Sequence, residues 1–459
     1  MDTKRLVQQT AGPMTGAAAV FLGTLAAVLV FPDQPSPPGA LFVPALLMSV
    51  GILFVPVMRT VSQSSGMLNA ESFVALGYIF WLLLDLLQGA YDLGDATDAG
   101  LRNALIAIGV SAASMWVGVS GRAWRLPKWI MGVASRPLDH ATVSRMVPIC
   151  FLLGMSNFAY SVNFNIPEMF SYLGNNRWDV PWGRGQLGGW EAFRDQLPYF
   201  GYALPSLTAL VIARRGWLRF GSWLAVGASG IMLLFLAQSG GRRIIGVTVG
   251  AALLVWIQAN PGMRIRKLVV VFAATIAMAW TMQFMLNIRT RGYEDFRLRG
   301  VEANDTFHVD DNFLRLAQVI DIVPAKHDYV YFQQILFTLV RPVPRVFWPG
   351  KPINPGFDLP AEVGMRGLSL STSIVGEWYL TLGWVAVAFG GWLHGRLASA
   401  ANSLHVESIQ ARNPIVYALS VMVLVSGMRS MQDLVIMSYA LVAWWGVNRM
   451  VAPRAAGAS

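Results

Sequence analysis

Arg341, Arg345 and Lys351 fall within one short stretch, RPVPRVFWPGKP, beside the aromatics Phe347 and Trp348. A guanidinium offers a rigid fork of donors that fits phosphate oxygens, and an ammonium adds a compact point charge. Pro342, Pro344, Pro349 and Pro352 fix φ and remove backbone donors, so no continuous helix runs through the stretch. No acid stands between Asp328 and Asp358. Three cations on so stiff a frame predict an anion site. For any one of them, snorkelling to lipid headgroups or pairing with a nearby acid is the competing reading.

Other cations sit in comparable places. Arg242 and Arg243 occupy the hairpin AQSGGRRIIG, Arg429 lies in VSGMRSMQD between two apolar runs, and Arg366 follows the proline stretch. Cations at membrane depth are costly and usually have a dedicated partner. Glu377 begins a predicted helix beside Tyr379. It could take a proton from a hydroxyl, cap a helix N-terminus or pair with Arg345. His308, His327 and Glu362 are alternatives for the proton. HVDD, residues 308–311, reads as a solvated acidic loop. No His/Asp cluster has convincing ligand spacing, and the single cysteine, Cys150, excludes a disulfide framework or a cysteine-rich metal centre. Neither a metal nor any other cofactor is therefore expected. NNRWDVPWGRGQLGGWEAF carries Trp178, Trp182 and Trp190 with Arg177 and Arg184. Aromatic faces suit sugar rings, although an interfacial aromatic belt has the same composition. Trp348 and Tyr379 are further aromatic candidates for sugar contact.

The elements that must position these residues are membrane spans. The chain is 55% hydrophobic and 13% charged, with mean hydropathy +0.49, well outside an ordinary soluble domain. Its net charge of +10 is scattered between apolar runs, so it signals topology and not nucleic-acid binding. A bilayer core needs about 20 apolar residues per helix. Candidate spans are 14–31, 38–57, 73–91, 103–120, 146–163, 200–213, 221–238, 244–259, 268–286, 372–395, 413–428 and 432–448. The basic head MDTKRLVQQTAG reads as the start of a retained first helix.

With the N-terminus inside, the inner loops collect Arg122, Arg125, Lys128, Arg136, Arg214, Arg215, Arg219, Arg264, Arg266, Lys267, Arg396 and Arg412 against few acids. That bias puts both termini in the cytoplasm. Residues 164–199 and 287–371 then lie outside, and so do Arg341, Arg345, Lys351 and Arg366. The expected architecture is an all-α polytopic bundle of about twelve spans. It divides into an N-terminal bundle (1–286), a large extracytoplasmic loop (287–371) and a C-terminal three-helix segment (372–459). Tyr329–Val340 is too short to span and reads as a re-entrant or interfacial helix. Asp85, inside WLLLDLLQG, is expected to pair with a neighbouring helix.

VPRVFWPGKP, followed by SIVGEWYLTLGWVAVAFGGWLHG, resembles the O-antigen and exopolysaccharide repeat-unit polymerases, the Wzy-like family. Pro344, Arg345, Trp348, Pro349, Lys351 and Pro352 match the family's Pro-Arg, aromatic-Pro, Lys-Pro string. Gly376, Glu377, Tyr379, Gly383 and Gly395 match its Gly-Glu-x-Tyr helix start with spaced glycines, and Ser239, Gly240 and Arg242 match a Ser-Gly-x-Arg hairpin tip. Ala386 stands where the family often has a glycine.

The resemblance implies a GT-C-like helical enzyme of the bacterial inner membrane. Such an enzyme transfers a growing glycan from undecaprenyl pyrophosphate to the next lipid-linked repeat unit, at the outer face and without a metal. Lipid-linked oligosaccharide and membrane lipids would be its ligands, with a chain-length regulator and a flippase as companions. Negative charge develops on the leaving pyrophosphate, so preorganised cations should provide much of the catalysis. That role falls to Arg345 and Arg341, then Lys351, Arg242, Arg243, Arg366 and Arg429, with Glu377 as base. An O-antigen ligase, marked by a functional His308 or His327, and a transporter or flippase of lipid-linked glycans are the alternatives.

Overall fold

The computed structural model describes residues 12–62, 68–122, 124–175, 179–182, 191–238, 242–260, 310–365 and 370–451, with positions between 267 and 281 described in part. Among them every regular element is helical. The principal helices are α1 (Pro13–Leu29), α2 (Phe42–Ser62), α3 (Ala70–Gln88), α4 (Asp98–Ser120), α5 (His140–Ser161), α6 (Leu204–Arg215), α7 (Phe220–Gln238) and α8 (Arg242–Ala259). Beyond the undescribed stretch come α9 (Asn312–Ile322), α10 (Gln333–Val340), α11 (Ser373–Ala411), α12 (Ile415–Gly427) and α13 (Met431–Val451). Each expected span except 268–286, which is described only in part, overlaps one of these helices. Seven of them (α2, α3, α4, α5, α7, α11 and α13) are long and apolar enough to cross a membrane. The protein is therefore a helical, membrane-embedded one.

Close backbone approach sets the central packing. α4 crosses α11 where Gly391 meets the carbonyl of Ser111 and Gly395 meets that of Met115. A Cβ on Gly395 would collide with the Met115 carbonyl oxygen. Gly391 and Gly395 are four apart on one helix face, the small-residue spacing that lets membrane helices touch. The backbone of α11 is broken at Leu382 and at Gly383, where φ is +62° and the ring hydroxyl of Tyr329 lies against the missing side chain. Only glycine takes that conformation readily. In α3, residues Ile79–Leu83 widen into a π turn. The carbonyl of Trp81 there accepts from Asn312 Nδ2 at 3.1 Å, and its indole donates to the Val425 carbonyl at 2.9 Å.

The large loop departs from expectation. Almost all of α9, including Arg315 and Gln318, is buried, and the helix packs on α4 and α11. Arg315 is tolerated inside because it donates to Asp311 at 2.6 Å and Gln318 at 2.9 Å. Asp310 and Asp311 are consequently not a solvated acidic loop, since both anchor ion pairs. Asp85 does meet a neighbouring segment: it accepts from the backbone N–H of Asp310 at 3.4 Å.

The loops sort into two ends of the bundle. At one end Thr97 donates to Asp321, Arg429 pairs with Asp310, and Trp182 donates to Gln238. At the other, Arg136 donates to the carbonyls of Asn448 and Arg449, Arg396 to that of Gly118, and Arg214 to that of Arg412. The loops expected outside thus meet one another, as do those expected inside.

Candidate functional site

The proline stretch is a chain of tight turns after α10. Phe347 N–H donates to the Pro344 carbonyl at 3.0 Å and Lys351 N–H to that of Trp348 at 3.1 Å. Proline leaves carbonyls here without helical donors, and the cations supply the deficit. Lys351 Nζ donates to the carbonyls of Arg341 at 3.2 Å and Val343 at 2.8 Å, while Arg345 Nη1 donates to those of Lys351 at 3.2 Å and Pro349 at 3.3 Å. Among the described residues no carboxylate pairs with Arg345 or Lys351. Partial burial, then the charges of Arg345 and Arg341, hold the Lys351 ammonium below its ordinary pKa. Like charges within reach of one another are the electrostatic condition that a bound anion relieves.

A second assembly lies at the start of α13. Glu377, on the first turns of α11 and 8% exposed, accepts from the backbone N–H of Met431 and from Gln334 Nε2 at 3.1 Å. Next along the chain, Gln432 meets Arg341. With its amide oxygen turned to the guanidinium, it accepts from Nη2 at 2.9 Å. Arg341 also lies 5.8 Å from the ring of Phe337. Asp433 receives Arg243 and, at 3.2 Å, Arg429, which also reaches Asp310 at 2.6 Å. Burial acts against the Arg429 charge, but Asp310 and Asp433 outweigh it and raise its pKa. Ser430 Oγ accepts from Asp433 N–H at 3.0 Å, completing the cap of α13.

Four sequence candidates, Glu377, Arg341, Arg429 and Arg243, therefore converge on Ser430–Asp433. The cations divide in two. Arg243 and Arg429 have their charge met by carboxylates inside the protein, whereas among the described residues Arg345 and Lys351 meet carbonyls. Glu377 caps a helix, as one of its expected roles had it, but the helix is α13 rather than its own, and Arg345 is not its partner.

The aromatic candidates separate as well. Trp182 is 7% exposed and ringed by Phe158, Tyr172 and Phe235, with its indole N–H on Gln238 at 3.1 Å. It is a core residue with no ring face open to a sugar. Tyr379 is also buried, edge-on to Tyr329 and Trp384. Trp348 is exposed on the proline turn. Trp178, Arg184, Trp190, Arg366 and His308 lie outside the described residues, as does the side chain of Arg242.

Of the residues the sequence reading left out, Asp433 had a visible signal, its place as an acid four residues after Arg429 in a short stretch between apolar runs. Gln334, Gln432 and the pairing of Asp310 had none. Next to the turn, α10 and its flanks expose Tyr331, Phe332, Leu336, Leu339 and Phe347. This is the apolar surface expected of an interfacial helix. Comparison with family models, with curated proteins and with solved structures gives no match.

Proposed function

We propose that this protein is a repeat-unit polymerase of the Wzy-like kind, acting on undecaprenyl-pyrophosphate-linked oligosaccharide at the outer face of a bacterial inner membrane. The observation that carries the reading is the cluster of Arg341, Arg345 and Lys351 on one proline turn, with the Lys351 pKa lowered by partial burial and then by its two neighbours, and no carboxylate pairing with Arg345 or Lys351 among the described residues. Directly beside it stands the exposed apolar face of α10. A pyrophosphate on a lipid tail satisfies both surfaces at once. The full topology in this reading has about twelve spans in a GT-C-like bundle, with both termini cytoplasmic.

In the reaction the acceptor hydroxyl attacks the anomeric carbon, and the bond from that carbon to the lipid pyrophosphate breaks. The electron pair leaves on the pyrophosphate oxygen, where Arg345 and Arg341 meet the developing charge and Lys351 supplies the background field. Glu377, tied to the same helix start as Arg341, takes the acceptor proton.

The test uses purified full-length protein in nanodiscs with lipid-linked repeat unit, followed by gel ladder. Arg345→Ala should lose about 3 kcal/mol of transition-state stabilisation, roughly a hundredfold in rate. Arg345→Lys keeps the charge and restores part; Arg345→Gln keeps a donor for the turn carbonyls without charge and restores nothing. Wild-type ladders from a folded Arg345→Ala protein would leave the stretch as a hinge and remove the main support for polymerisation.

A further inference from the structure

At the opposite end of the bundle, between α6 and α7, an open cleft of about 590 Å³ is lined by Arg214, Arg215, Arg219, Phe220 and Gly221. Arg214 donates to the carbonyls of Leu138 and Arg412, which draws Arg412 to the same place. Burial and then the Arg412 charge lower the Arg214 pKa, with Asp139 offsetting part. Asp139 is the acid that faces Arg214, and its carboxylate already caps α5 by accepting from Thr142 N–H at 2.8 Å.

Arg215 belongs to the last turn of α6, which suits a cation, but it also meets the start of the next helix. Its guanidinium lies over Gly221, so close that a Cβ there would be 2.7 Å from Nη1. This is the first turn of α7, a 19-residue helix with no acid in that turn. Unsatisfied N–H groups and the helix dipole make such a terminus positive, so two like-signed partners face each other across the cleft. An anion between them turns the arrangement favourable.

The rim identifies the carrier of that anion. Trp217, Leu218, Phe220, Trp223 and Leu224 are all exposed, Leu218 at 95%. Apolar and aromatic side chains next to arginines at the end of a spanning helix suit the depth at which headgroup phosphates lie.

We propose that this cleft is a built site for an anionic phospholipid of the surrounding bilayer. Arg215, Arg219 and the start of α7 hold the phosphodiester, and the Trp217–Leu224 rim lies along the acyl chains. The site is remote from the proline turn and does not depend on the polymerase reading.

The experiment is native mass spectrometry of the purified full-length protein after exchange into detergent with phosphatidylglycerol or phosphatidylcholine. Phosphatidylglycerol should be retained in preference. Arg215→Gln with Arg219→Gln should reduce its retention by about tenfold. Arg125→Gln with Lys128→Gln removes the same charge from the same end and should leave retention unchanged. Gly221→Ala is the sharper variant: it keeps every charge and shifts only the far end of a flexible side chain, yet it pushes Arg215 off the helix start and should weaken retention. Millimolar inorganic phosphate should not displace the lipid. Equal loss in both double variants, no preference over phosphatidylcholine, or unchanged retention in Gly221→Ala would each overturn the proposal in favour of general surface charge. Displacement by phosphate would overturn it in favour of a soluble anion.

Discussion

Asp433 is the carboxylate on which the start of α13 depends, and its removal gives the most direct measure of the site's architecture. Its side chain is 2% exposed and is shared by Arg243 and Arg429. Removing one partner of a buried pair costs about 3–5 kcal/mol, because the other charge is left without compensation. The geometry here favours the lower end of that range. Arg429 keeps Asp310 at 2.6 Å, and the Arg243 side chain, 32% exposed, can turn towards water. Asp433→Ala should therefore destabilise the protein by about 3 kcal/mol, including about 0.5 kcal/mol for an acid lost from a helix N-terminus. Arg243→Met should cost less. The two changes combined should fall short of their sum by about 1–2 kcal/mol, since the double variant strands no charge at that contact. Unfolding by SDS in mixed micelles, followed by tryptophan fluorescence, reads these differences from the midpoints at constant slope. A loss below about 1 kcal/mol for Asp433→Ala, or additivity of the pair within about 0.5 kcal/mol, would refute the argument that Asp433 organises this end.

Glu377→Gln retains an acceptor for Met431 N–H, so the fold should persist, while loss of the base should slow polymerisation by about a hundredfold or more; a wild-type rate would reduce Glu377 to a helix cap. For Lys351, a folded-state pKa below the ordinary value means that pyrophosphate affinity is complete below that lowered value and falls as pH rises through it. Binding titrations should show the fall at lower pH than a free lysine would give, and it should vanish in Lys351→Met. By the same sign the charged amine opposes folding, so stability should rise with pH between the folded and unfolded values of Lys351. For orientation, Ile353 and Leu218 are 82% and 95% exposed at opposite ends, and Cys150 is buried. In a Cys150→Ala background, Ile353→Cys should react with an impermeant thiol reagent in intact cells and Leu218→Cys should not; equal labelling would reverse the topology argument.

The helices were legible because apolar length is a local property: each apolar run announces its own helix, and seven of those helices are long and apolar enough to cross a membrane. What escaped was set by partners distant in the chain. Gly391 looks like an ordinary small residue until the carbonyl of Ser111 is brought against it, and the spacing of Gly395 does not name the Met115 carbonyl as its neighbour. The residues of α9 carry Arg315 and Gln318 among apolar neighbours and sit in the middle of a presumed outer loop. That helix could be placed inside only once Asp311 and the backbone of Asp95 were known to receive those two polar groups.

The same logic divides the cations. Arginines between apolar runs carry one sequence signature whether a carboxylate waits for them or not. Arg243 and Arg429 followed Arg345 as candidates for the same anion, yet those two end on Asp433 and Arg345 on carbonyls that prolines have left unpaired. A carbonyl dipole orients a guanidinium without cancelling its charge. Arg345 and Lys351 are thus held in place and still carry a positive field, which is the preorganised state that stabilising a departing anion requires. A pyrophosphate arriving at this turn would meet cations whose orientation is already fixed, whereas at Arg429 it would first have to displace Asp310 and Asp433.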